Sequence, residues 1–135
     1  MSIVPEKETL TVEFKSDRDR LSDDDLLEEI VGMANTQGGD IYIGVEDDGT
    51  PTGLHSTHRD SVRLAAMIGN KTVPSVSVRT AAHTIGGVQI VVVSVPPHSG
   101  TLVATASGKI TRRRLKHDGA PETVPVYPYE MPRML

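Results

Sequence analysis

Five carboxylates, Glu8, Glu13, Glu46, Asp47 and Asp48, are the first side chains in this sequence with the chemistry for catalysis. Three converging carboxylates can hold Mg²⁺ or Mn²⁺ and activate water against a phosphodiester. The set would be Glu8, Glu13 and Asp47. Residues five apart on an ideal strand point to opposite faces, so Glu8 and Glu13 converge only if the strand bends or Glu8 lies in a preceding loop. Otherwise these groups are solvated charges near turns. A second set is basic: Arg112, Arg113 and Arg114 in succession, with Lys109 and Lys116 on either side and His117 following. On a strand Arg112 and Arg114 share a face, joined by Lys116 if the strand continues. Such a row can engage successive phosphates, which positions a nucleic acid without reading its sequence. The competing reading is a charged edge strand that resists aggregation.

The segment NTQGGDIYIGVEDDG, residues 35–49, is glycine-rich, but it lacks GxxxxGK[ST] and GxGxxG, and its glycines follow a helix where a phosphate loop would precede one. A structural role accounts for them: Gly38 and Gly39 end a helix, and Gly44 lets helix and strand pack closely. Asn35 either pins this connection or contacts a phosphate. The histidines at 55, 58, 83, 98 and 117 are scattered and read as surface residues. Ser99 has no base or orienting group in support, so no hydrolase triad is read.

The elements that must position these groups follow from periodicity. Residues 8–15 alternate as a half-buried strand, and Ser22 with Asp25 forms a capping signal. Leu26, Leu27, Ile30, Val31 and Ala34 then recur at helical spacing, above an acidic first turn suited to the helix dipole. Residues 40–46 predict a second strand ending in an Asp48-Gly49 turn. Residues 60–70 predict a second helix with Val62, Leu64, Ala65, Met67 and Ile68 on its apolar side. Strands follow at 75–82 and 88–95, the latter too continuously apolar for an edge. Short strands are expected near 101–105 and 109–114. The predicted fold is α+β: a mixed sheet of about five or six strands packed with two helices. Residues 119–135, with four of the nine prolines, read as an ordered wrap or the start of a linker, and the abrupt ending reads as a fragment of something longer.

Composition bounds the function. At 135 residues the chain has the size of one domain, and without cysteine it has neither disulfides nor Cys-ligated zinc. One Phe, three Tyr and no Trp leave an aliphatic core and little aromatic interleaving for stacking on single strands. No membrane span or leader pattern is visible, so a cytoplasmic location is the default. The net charge of -4 is unevenly spread: residues 1–60 hold 15 acidic and 5 basic residues, and residues 61–135 hold 3 and 9. A basic face is compatible with the acidic whole.

Taken in order, ETLTVEFK and LLEEIVGMANTQGGDIYIGVEDDG resemble the signature of the Schlafen AlbA-type (AlbA_2) domain. IVVVSVPPHSG and GKITRRRLKHDG fit the same family's pattern of a core strand ending in proline and serine, then a glycine leading to a basic strand. The resemblance spans about residues 6–118, and YPYEMPR is similar to the tail of a bacterial subgroup. It implies a nucleic-acid-binding domain at the N-terminus of bacterial transcriptional regulators and RecG-related, helicase-like or ATP-binding proteins. In vertebrate members it implies a metal-dependent ribonuclease trio, which falls here on Glu8, Glu13 and the GVEDDG block. Glu46 stands where an aspartate is frequent and Asp47 is adjacent. Those enzymes use a duplicated clamp, so this single copy would need a homodimer to make an equivalent groove. The leading expectation is a binding module, DNA ahead of RNA, that requires no cofactor. A Mg²⁺- or Mn²⁺-dependent nuclease is the alternative, with a nucleotide-binding surface and a plain dimerisation domain behind it.

Overall fold

The computed structural model describes residues 3–135. Ser22 caps the first helix as its spacing predicts, its hydroxyl accepting the Asp25 N–H at 3.1 Å, and α1 runs from Asp23 to Ala34. It follows β1 (Val12–Lys15) and leads into β2 (Gly39–Ile43), which pairs with β1 in parallel. The helix α2 (Ser61–Asn70) precedes a two-residue strand β3 (Thr72–Val73), then β4 (Arg79–Ile85) and β5 (Val88–Val95). The main sheet has the order β1-β2-β5-β4, with only the β1–β2 pair parallel. Strand β5 is interior, as its unbroken apolar run predicts. Strand β6 (Ala104–Thr105) pairs with β3, and β7 (Thr111–Leu115) pairs with β8 (Pro121–Pro125) in an antiparallel ribbon. The chain closes with a 3-10 turn at Pro128–Glu130 and a one-turn helix α3 (Met131–Met134).

The architecture is α+β with a mixed sheet, but the element count differs from expectation. Among the described residues there are eight strands, in sheets of four, two and two, and three α-helices. Strand β8 is the main addition. Its prolines mask it in the sequence, yet they stand at its two ends, opposite Leu115 and Thr111, where a missing N–H interrupts the ladder least. Strand β1 is shorter than residues 8–15, because the chain turns back on itself there and closes an isolated bridge between Thr9 and Val12. In α2, Leu64 and Ile68 are buried while Val62 is 77% exposed, so the apolar side is narrower than the sequence implies.

Both faces of the sheet are covered. Ile41, Ile43, Val91, Val93 and Val95 pack with Leu26, Ile30 and Met33 of α1 and Leu64 and Ile68 of α2. Phe14, Tyr42, Ile90 and Val92 form a smaller core on the opposite face with Val4 and Val45. Phe14 and Tyr42 meet edge to face at 6.0 Å. The side of α1 away from the sheet is occupied by the β7–β8 ribbon. Gly32 permits this approach: a Cβ there would lie 3.0 Å from the Thr123 methyl and 3.3 Å from the Thr111 hydroxyl. A helix-interior glycine costs roughly 1 kcal/mol of propensity, and here the space it leaves is filled by the ribbon.

Candidate nucleic-acid interface

The ribbon's alternation sorts the basic residues. Thr111 and Arg113 point inward to α1, and Arg112 and Arg114 point outward. Thr111 donates its hydroxyl to the Glu28 carbonyl at 2.7 Å, and the Arg113 N–H donates to Thr36 Oγ1 at 2.9 Å. Arg113, expected among the phosphate-binding residues, has a side chain with 0% exposure. Its Nη1 donates to Glu13 at 3.2 Å, Glu29 at 3.1 Å and Thr123 at 3.2 Å. Its Nε donates to the Leu10 carbonyl at 2.7 Å, and Nη2 to those of Thr9 at 2.8 Å and Val12 at 3.3 Å. Burial pulls the guanidinium below its ordinary pKa, opposed by Glu29 and Glu8. No donor remains for a phosphate. Arg113 is a structural hub joining β1, α1 and β7, and its expected role on the surface is corrected accordingly.

The outward residues are arranged along the ribbon. Arg112 is held by Glu130 at 2.9 Å and Arg114 by Glu122 at 2.7 Å. Lys109 stands 3.7 Å from Glu28. Glu130 also accepts the Tyr127 N–H, and this bond, with Arg112 behind it, holds its carboxyl below the usual carboxylate range. Arg112 is therefore tied to the C-terminal turn and is only 25% exposed, whereas Arg114 is 50% exposed. Beyond it the tip, Leu115 to Gly119, is exposed throughout. The turn is closed by Lys116 N–H to the Ala120 carbonyl at 2.8 Å and by Asp118 accepting the Ala120 N–H at 2.9 Å. Arg114, Leu115, Lys116, His117, Asp118 and Glu122 line a shallow groove there. At the other end of the ribbon, Tyr127 and Tyr129 are exposed and parallel, with centroids 6.4 Å apart. Their place in an aperiodic tail hid them.

The three carboxylates of the nuclease reading do not assemble. Glu8 and Asp47 line one cleft, of about 470 Å³, with Lys7, Lys116 and Asp118. Burial, and then Asp47, raises the Glu8 carboxyl above its ordinary value, against the Phe14 N–H, Arg113 and Lys15. Glu13 instead spends its carboxylate on Arg113. Among the described residues no group of three His, Cys, Asp or Glu side chains stands close enough to hold a metal ion. A divalent ion on Glu13 would have to displace a buried guanidinium, so Mg²⁺ or Mn²⁺ does not fit the expected trio. Asp48 is also occupied, accepting the Thr50 N–H at 2.9 Å. Its hydrogen bonds to Thr50 lower its carboxyl's pKa.

Because Glu8 is more easily protonated in the fold than in the unfolded chain, its charge opposes folding above its raised pKa. Glu8→Gln is expected to stabilise the protein at pH 7 by less than about 1 kcal/mol, given partial solvent screening. The gain should shrink as pH falls through the raised pKa towards 4.5, which thermal melts between pH 4 and 8 would show.

The helix exit is constructional. Asn35 Nδ2 donates to the carbonyls of Val103 and Thr111, both at 2.9 Å, and Oδ1 accepts the Val103 N–H at 2.8 Å. Its amide is fully used in pinning α1 to the segments around β6 and β7. Gly38 and Gly39 have positive φ, and a Cβ on either would lie within 2.6 Å of a neighbouring carbonyl oxygen. Gly44, expected to let helix and strand pack closely, instead admits the Gly53 backbone, whose carbonyl carbon would lie 3.0 Å from a Cβ there. His58, read as a surface residue, is 4% exposed and bonded to buried Asp17, a contact across 41 residues that no local spacing reveals.

The Schlafen, AlbA_2 family model matches residues 8–120. The chain belongs to that family. This AlbA_2 domain matches no curated protein. Among solved structures it resembles the DIP2311 protein from Corynebacterium diphtheriae, with a TM-score of 0.68 and 22% identity over 87% of this chain. It also resembles the N-terminal domain of a RecG-related protein from Nitrosomonas europaea, with a TM-score of 0.55 and 23% identity over 67% of this chain. The AlbA_2 chain spans 25% of the first protein and 65% of the second, and these likenesses concern the fold. No helix among its described residues is long and apolar enough to cross a membrane.

Proposed function

We propose that this AlbA_2 domain is a nucleic-acid-binding module that presents the tip of the β7–β8 ribbon to phosphates. Family membership supports a nucleic-acid-associated role in general. The observation that carries the finer reading is the split within one basic run: Arg113 anchors the ribbon internally, while Arg114 and Lys116 are carried into solvent. A two-stranded ribbon fits the major groove of B-DNA, about 12 Å wide. The name of the Nitrosomonas relative, an ATP-dependent DNA helicase RecG-related protein, weights DNA over RNA. Arg112 contributes less, because it is 25% exposed with Nε and Nη2 both on Glu130, whereas Arg114 spends only Nε on Glu122 and Lys109 is loosely paired with Glu28 at 3.7 Å. Specificity of the kind a transcriptional regulator needs would come from a second copy or from other domains. The nuclease reading has no comparable support, since Glu13 is committed to Arg113. An ATP-binding reading at residues 35–49 lacks room, because Gly38 and Gly39 are packed against backbone.

The test is a titration of labelled duplex DNA and structured RNA at two or more salt concentrations with Mn²⁺ present. Binding should weaken steeply with salt, and the strands should stay intact. Arg114→Ala and Lys116→Ala should each flatten the log–log salt slope by roughly 0.9, the value for one phosphate contact. Slopes unchanged in both variants would refute the assignment of the tip, and cleavage lost in Asp47→Ala would restore the nuclease.

A further inference from the structure

The Asp17–His58 pair lies outside the ribbon and has no part in the proposed binding. Asp17 follows the carboxyl end of β1, and the 3-10 turn Ser56–His58 follows β2, the parallel neighbour of β1. Asp17 is 1% exposed. Its Oδ1 accepts the Leu21 N–H at 2.7 Å and its Oδ2 the His55 N–H at 2.8 Å. Both oxygens face His58 Nδ1, at 3.0 and 2.8 Å. A carboxylate that takes up one ring nitrogen fixes the imidazole's orientation and leaves the other nitrogen for a ligand.

His58 is 4% exposed, and its Nε2 makes no hydrogen bond among the described residues. His58 lines a groove of about 370 Å³ with Arg20, Asp23, Thr57, Arg63, Leu64 and Met67. Arg63 is exposed and forms no ion pair among the described residues. Arg20 is exposed, donating to Thr57 at 3.1 Å and Asp23 at 3.4 Å. The negative charge of Asp23 is met by Arg20 and by Lys71 at 3.8 Å. The groove thus sets an oriented imidazole and two guanidiniums beside an apolar wall of Leu64 and Met67.

We propose that this groove binds a phosphomonoester, with its phosphate between Arg63, Arg20 and His58 Nε2 and its organic group over Leu64 and Met67. Guanidiniums match phosphate oxygens in geometry as well as charge. The same chemistry is offered by a free mononucleotide and by the phosphorylated end of a strand. The groove is separate from the ribbon, whose phosphate contacts are removed by Arg114→Ala and Lys116→Ala.

The full chain carrying Arg114→Ala and Lys116→Ala, labelled with ¹⁵N, is titrated with adenosine monophosphate, adenosine, and hexanucleotides bearing a 5′-phosphate or a 5′-hydroxyl. Long-range ¹H–¹⁵N correlations report the His58 ring nitrogens, and the Arg63 Nε signal is followed beside them. The expected result is a saturable shift of both residues with the phosphorylated ligands and none with adenosine or the 5′-hydroxyl strand. Whichever phosphorylated ligand saturates first identifies the source. Arg63→Ala, at an exposed site, should weaken binding at least tenfold with an unchanged Tm. The absence of a saturable shift with either phosphorylated ligand, or equal binding in Arg63→Ala, would overturn the proposal.

Discussion

Arg113→Met is expected to destabilise the protein by roughly 3–5 kcal/mol, the range for breaking a buried ion pair from one side. The substitution keeps much of the length of the side chain but removes every donor. Glu13 and Glu29, each about a tenth exposed, lose their buried partner, although Glu29 keeps Lys15 at 3.4 Å. The carbonyls of Thr9, Leu10 and Val12 lose their guanidinium donors as well. Thermal melts should show a fall in Tm of about 10 °C or more, from roughly 3 °C per kcal/mol for a domain of this size. Arg114→Ala, one residue along, should change stability by no more than about 0.5–1 kcal/mol, since its ion pair is half exposed. Near-equal Tm values for the two variants would show that Arg113 does not organise the fold.

Gly39→Ala carries the second large effect, expected at about 3 kcal/mol or more from strain and overpacking combined. Gly39 begins β2 at φ 151°, where a Cβ would lie 2.5 Å from the Thr11 carbonyl oxygen and 2.9 Å from its carbonyl carbon. Neither is a flexible side-chain end, so the β1–β2 pairing itself must open. Denaturant unfolding would measure the loss, and a midpoint within about 0.3 M of the parent would contradict the packing described, given typical urea slopes.

The elements that declare themselves locally were legible in the sequence. The Ser22 cap, the 3.6-residue spacing of α1 and the apolar run of β5 each state their own conformation. The same was true of the strand alternation that sets Arg112 and Arg114 on one face. That alternation also sends Arg113 the other way, but its partner Glu13 lies 100 residues earlier, so the consequence was hidden. A run of three arginines read only for charge is a phosphate row. Read against the tertiary structure, its middle member is a core residue. The carboxylates went wrong for the same reason: spacing showed that Glu8 and Glu13 diverge on a strand, and only the fold shows what Glu13 meets. Asp17 and His58 sat in polar connectors with no periodicity to mark them as buried. Strand β8 was obscured by its terminal prolines, because its pairing with β7 supplies a reason for order that its own composition does not.

A chemical-shift footprint of a short DNA duplex on the ¹⁵N-labelled chain at low salt would locate the nucleic-acid-binding surface. The largest perturbations are expected on Arg114 to Gly119, declining along β7 towards Arg112 and leaving the buried Arg113 side chain unaffected. Perturbations centred on the cleft between Glu8 and Asp47, or on the face of β4, with the ribbon tip silent, would contradict binding through the tip.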